Sequence, residues 1–208
     1  MALEFLKRIF NPNKVEIELN EIQALILRSR PIPYFGTVAI IEIKDAVAAR
    51  QMLQKLLPIV SSAEDWHKNE GASVTLTFTY KGLEKIGVPQ ESLDTFPESF
   101  KEGMAERSRF LYDIGVNDPK NWEKVFKRSH IHIAAAVIAN NEEAWKSKLE
   151  EFRSKLANNS GVEVIMSHDF AVSEEVKNVF GFRDGISNPE IEGSGIDVPP
   201  GFDRPLKA

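Results

Sequence analysis

Cysteine is absent from this chain. That excludes disulfides, thiolate-ligated metals and cysteine-built zinc or iron–sulfur sites. The chain also lacks any apolar stretch near the roughly 20 residues that a membrane span needs. A basic surplus is missing too: 26 Lys and Arg face 31 Asp and Glu, for a net charge of −5 and a pI near 5.5. That balance argues against nucleic-acid or anionic-membrane partners, which require concentrated cations. No secretory signal is visible, because Glu4, Lys7 and Arg8 interrupt the apolar residues of Met1–Phe10 and Pro12 follows. The segment reads as a loosely held N-terminal arm or a short amphipathic docking helix, and a cytoplasmic location is the expectation.

What is present suits a globular domain. The 208 residues, 42% hydrophobic and 27% charged, are enough to bury a sizeable core. Phe35 to Lys44 is a β-branched and apolar run, continuous from Val38 to Ile41, as a buried strand requires. Asp45 can cap a following helix whose Ala49, Met52, Leu53, Leu56 and Val60 recur at helical spacing until Pro58 ends or bends it. Val74, Leu76, Phe78 and Tyr80 then alternate with Ser73, Thr75, Thr77 and Thr79, which predicts a half-exposed strand with one polar face. The unit recurs: a strand from His130 to Ala139, a helix opened by Asn140 and Glu143 with a Trp145, Leu149, Phe152, Leu156 stripe, and a strand over Gly161–Phe170.

Two such units predict an α+β fold: a ferredoxin-like βαββαβ antiparallel sheet with helices on one face. A stretch at about 82–129 interrupts it, with helical signals at Leu83–Ile86, Glu98–Leu111 and Asn121–Lys127 between prolines, so a helical insertion is expected. The organisation is an N-terminal arm over 1–30, the domain over 31–188, and an extended Pro/Gly-rich C-terminal tail over 189–208.

One local environment points to chemistry. Phe180-Gly181-Phe182-Arg183-Asp184-Gly185-Ile186-Ser187-Asn188-Pro189 holds an aspartate between two glycines and several large apolar groups. Gly181 and Gly185 permit positive φ or close approach to a flat ligand. Phe180, Phe182 and Ile186 would strip water from Asp184, raising its pKa towards proton-transfer range. Asp-Gly is also a common turn dipeptide, so both readings attach to the same two residues.

The segment resembles the GxxDG signature of the dye-decolorizing (DyP-type) haem peroxidases. Three other stretches agree in order: Phe78-Thr79-Tyr80-Lys81-Gly82-Leu83 with Ile86-Gly87; Phe96 to Met104 with Arg107 and Leu111; and Asp118-Pro119 with Trp122. The resemblance runs from about Glu21 onward. It implies haem b as cofactor, hydrogen peroxide and bulky aromatic reducing substrates as reactants, and Asp184 as the distal acid–base group. It places Gly181, Phe182, Arg183, Gly185, Ile186, Ser187 and Asn188 along the cofactor. Arg183 could pair with a propionate or with a carboxylate such as Glu190, and the family often has glutamine where Asn188 stands.

In that family the proximal histidine and an assisting arginine come from a second half, which follows the signature. Neither appears in this sequence, so the expectation is a chain without a metal ligand, inactive when isolated and binding haem weakly or not at all. The four histidines fit this. His130 and His132 are predicted on one strand face opposite the apolar one, His67 lies in a charged loop, and His168 lies near the end of the fourth strand. A missing C-terminal half should leave an apolar surface, so homo-oligomerisation is expected. The alternatives are a non-catalytic ferredoxin-like module for binding or oligomerisation, and a small enzyme on a dimeric ferredoxin-like fold, which fits the length and insertion less well.

Overall fold

The computed structural model describes residues 17–27, 33–64, 71–127, 130–172, 177, 180–182 and 191. Strands β1 (Tyr34–Ile43), β2 (Ala72–Phe78), β3 (Ile133–Ala139) and β4 (Val162–Val172) form one antiparallel sheet in the order β2-β3-β1-β4. A single turn of α-helix at Ala24–Leu27 precedes β1, and the longer helices are α1 (Ala46–Leu56), α2 (Tyr80–Ile86), α3 (Gln90–Asp94), α4 (Glu98–Glu106) and α5 (Glu142–Leu156). This is the ferredoxin-like βαββαβ arrangement that the periodicities predict.

Local chemistry sets the element boundaries. Asp45 accepts a hydrogen bond from the Ala48 amide at 2.8 Å, satisfying an otherwise orphan donor of α1. Pro58 then starts a 3₁₀ turn over Leu57–Ile59. The cap of α5 is Asn141, which accepts from the Ala144 amide at 2.8 Å, and not Asn140 as the capping pattern predicts. Asn140 accepts instead from Asn141 Nδ2, and its amide packs against Gly71, whose φ of +76° and lack of Cβ make that contact possible.

α1 and α5 bury Ala49, Met52, Leu56, Leu149 and Phe152 against Ala39, Ile41, Ile43, Val74, Leu76, Ile133, Ala135 and Val137. Each large side chain fully buried there contributes about 1.5–3 kcal/mol. The registers put Gly36, Val38 and Ile40 of β1 beside Ile138, Ala136 and Ala134 of β3 on the face opposite α1 and α5, where Phe170 of β4 lies over Gly36. A Cβ at Gly36 would collide with that ring. Between Ile40 and Ile41 the pairing with β4 slips and leaves Ile165 as the extra residue of a bulge.

Two expectations are corrected. The alternation in β2 predicts a solvated polar face, yet Ser73 and Thr75 are buried. They sit beside Ile138 and Ala136 at the sheet interior, where register outweighs side-chain polarity. The insertion is helical only in part: α3 adds a helix that the sequence pattern missed, while α4 stops at Glu106 rather than Leu111. Gly103, at φ +75°, already breaks it, and residues 107–112 are turns ending in Tyr112 at φ +64°. Asn121–Lys127 holds the end of a 3₁₀ turn and further turns, with no α-helix.

The two sheet edges differ. At β2, the Gln23 side chain clasps Leu76 twice, donating to its carbonyl at 2.8 Å and accepting from its amide at 2.7 Å. Ser61 repeats this at Val74, with its backbone amide donating at 3.0 Å and its hydroxyl accepting at 3.3 Å. The clasp removes unpaired backbone groups from an edge. Gln23→Glu keeps the acceptor for the Leu76 amide but sets a carboxylate against the Leu76 carbonyl. At pH 7 it should lower stability by about 1–3 kcal/mol in urea denaturation, and an unchanged midpoint would show that the clasp contributes nothing.

Candidate functional site

The GxxDG segment begins within the described residues and continues outside them. Gly181 has φ +84°, a conformation that favours glycine, and a Cβ there would meet no atom of the described residues within 4 Å. The flanking phenyl rings are not buried: Phe180 is 81% exposed and Phe182 70%. The expected shielding of the aspartate by these two rings is therefore not provided by the described part of the chain. Arg183, Asp184, Gly185, Ile186, Ser187 and Asn188 lie outside the described residues.

The histidines are spent on the fold or stand apart. β3 begins at Ile133, so His130 and His132 precede the strand and do not share a strand face. His132 is buried at the junction of β1, β3 and α2. Its Nδ1 accepts from the Ile43 amide at 2.8 Å, its amide donates to the Ile41 carbonyl at 3.1 Å, and its carbonyl accepts from the Thr79 amide at 3.0 Å. Thr79 in turn caps α2 by accepting from the Gly82 amide at 3.0 Å, and a Cβ at Gly82 would strike the His132 carbonyl. With Nδ1 as acceptor, the neutral ring carries its proton on Nε2. The His130 and His132 rings are 6.4 Å apart. His168 is exposed on β4 opposite Val38, and His67 lies outside the described residues. Among the described residues no three potential ligands converge on a metal position.

Charge around His132 is organised by Lys44, which pairs with Glu42 at 2.8 Å and Glu163 at 2.9 Å. The Lys44 hydrogen bond holds the Glu42 carboxyl below its ordinary range. Burial pushes the His132 imidazole down, and Glu42 opposes that while Lys85 adds to it. Two cavities open among the described residues. One of about 540 Å³ lies between Asn20–Gln23, α1 and β2, and one of about 430 Å³ between α5, β1 and β4. Neither is lined by a described histidine.

Sequence reasoning missed a polar chain at the second cavity. Trp145 Nε1 donates to Thr37 Oγ1 at 3.0 Å, and that hydroxyl donates to Asp169 Oδ1 at 2.7 Å. The signal available was the indole N–H itself, which needs a partner when half-buried. Its partner is far in sequence and could not be read locally.

The fold and these residues define a ferredoxin-like α+β domain that carries no metal site of its own among its described residues. The family model described as the DyP dimeric alpha+beta barrel domain matches residues 21–170, and the chain belongs to that family. It is 24% identical over 194 residues to Peroxidase 2 of Mycetinis scorodonius, covering 89% of this chain and 36% of that protein. It is 24% identical over 164 residues to the dye-decolorizing peroxidase of Mycena epipterygia, covering 76% and 30%. Among solved structures, an ancestral D-type dye-decolorizing peroxidase aligns with a TM-score of 0.76 at 26% identity, over 90% of this chain and 42% of its own. A dye-decolorizing peroxidase bound to 2,6-dimethoxyphenol aligns with a TM-score of 0.73 at 22% identity, over 89% and 42%. The chain thus spans about a third of these curated relatives, and the family span at 21–170 ends before the GxxDG segment.

The depressed His132 gives a pH dependence of stability. The unfolded chain protonates this residue first, near the ordinary value of about 6.5, so stability falls as pH drops from there towards the lower folded value and then levels off. Glu42 acts with the usual carboxylate sign at lower pH: its contribution is lost as pH falls through its own depressed value. His132→Asn, whose Oδ1 can still accept from Ile43, should flatten the decline of the unfolding midpoint as pH drops below about 6.5. An unchanged slope in that variant would assign the decline to other groups.

Proposed function

We propose that the chain is the distal, peroxide-facing half of a haem-dependent DyP-type peroxidase, acting in the cytoplasm on hydrogen peroxide and bulky aromatic donors. The observation that carries this reading is the GxxDG segment on a chain of this family. Gly181, at positive φ between two exposed phenyl rings and with no described atom against it, fits one wall of a flat apolar cofactor. His132 does not fit the other requirement, an axial ligand, because its Nδ1 is committed to the Ile43 amide. The ligand belongs, on this reading, to a second half that is not in this sequence.

Haem b, once bound in such a complete site, supplies the redox chemistry. The contribution of this chain is proton management. The Asp184 carboxylate takes a proton from one peroxide oxygen and returns it to the other, which becomes the leaving water. Gly181 and Gly185 let that carboxylate approach without a side chain in the way, and Phe182 and Ile186, once covered by the haem they pack against, would keep water from competing for the proton. Arg183, Ser187 and Asn188 hold the cofactor edge. The isolated chain oxidises nothing on this account.

A second reading rests on a different observation. The sheet face opposite α1 and α5 mixes Gly36, Ala134 and Ala136 with Val38, Ile40 and Ile138, and it buries a Ser73 hydroxyl that has no hydrogen-bond partner among the described residues. Such a face suits a non-catalytic module that binds or homo-oligomerises through its sheet. In the complete protein, Asp184→Asn should slow peroxide-dependent oxidation of the haem by about 100-fold or more while haem affinity stays nearly intact. Wild-type rates in stopped-flow absorbance would remove Asp184 from the mechanism and leave the binding module as the better account.

A further inference from the structure

We propose that the groove between α5 and β4 binds a small apolar monocarboxylate, anchored by Arg153. The inference does not depend on haem or on the GxxDG segment.

The groove exists because the helix layer stops short. α5 lies mainly over β1, β2 and β3, and on β4 Val162 still packs against the core while Val164 is 45% exposed. The resulting cavity of about 430 Å³ is walled by Ala39, Leu149, Phe152, Leu156, Val162 and Val164. Its volume and its apolar walls are those of small-molecule sites, which use few polar groups to orient a ligand.

The polar groups decide which ligand. Thr37, at the floor, has its hydroxyl engaged on both sides, accepting from Trp145 and donating to Asp169. It therefore stiffens the floor and recognises nothing. Ser167 offers one hydroxyl at the wall. Arg153 is the one charged residue among the described lining. Its neighbours on α5 are neutralised, Lys146 by Glu142 at 2.6 Å and Lys148 by Glu151 at 2.8 Å, whereas the Arg153 guanidinium makes no ion pair or hydrogen bond among the described residues. A lone fork of donors above an apolar cleft complements a carboxylate on an apolar body, and no lining carboxylate competes for it.

The probe is phenylpropionate, with phenylpropanamide as its neutral counterpart, titrated into the 208-residue chain and followed by methyl NMR and calorimetry. The acid should shift the methyl signals of Leu149, Leu156 and Val164 and bind at least about tenfold more tightly than the amide. Arg153→Gln, at an exposed helix position, should weaken the acid about tenfold and leave the amide unchanged. Val164→Trp, which fills the cleft, should weaken both. Should that variant fail to fold, Ser167→Phe fills the cleft from β4 with the same expected result. No methyl shift at about 10 mM acid, or equal acid affinity in the wild type and Arg153→Gln, would overturn the proposal.

Discussion

One buried imidazole joins the parts of this domain. His132 closes the end of β1 by accepting from Ile43 and donating to Ile41, and its carbonyl receives the Thr79 amide where β2 gives way to α2. Three elements therefore share one residue, and Gly82 must lack a side chain for α2 to sit against it. The ring can do this only while neutral, because a proton on Nδ1 would face the Ile43 amide. Burial keeps it so. A histidine used in this way is withdrawn from metal chemistry, and that withdrawal shapes the functional reading.

The rest of the sheet is asymmetric in the same spirit. One face carries the packed helices, and the other mixes small residues with branched apolar ones. One edge is clasped by Gln23 and Ser61, whereas β4 at the other edge pairs only with β1 among the described strands. A bulge bends β4, and α5 lies mainly over the other strands. Apolar exposure on the helix side of the sheet falls at β4, where Val164 is 45% exposed, and the proposed peroxidase reading sets a further unit beside this chain.

Much of this was legible from residue order because strand and helix periods report burial directly. Asp45 and Pro58 mark the ends of α1, and the run through Val38–Ile41 marks the central strand. The failures have physical causes. Polarity in β2 suggested solvent, but pairing with β3 carried Ser73 and Thr75 inward. The pattern through Glu98–Leu111 looked helical, but Gly103 adopts positive φ. Gln23, Thr37 and Arg153 matter through partners or openings remote in sequence, which no local period reveals. The proposed role of Asp184 is read from its motif alone, since the residue lies outside the described residues.

The central claim is that this chain supplies a wall for haem and no ligand to its iron. Titrating haem into the isolated chain and recording the Soret region tests it most directly. The account predicts a broad, weak band that is unchanged when His67, His130, His132 or His168 is replaced in turn. A sharp, tight Soret band that one of those replacements abolishes would contradict it.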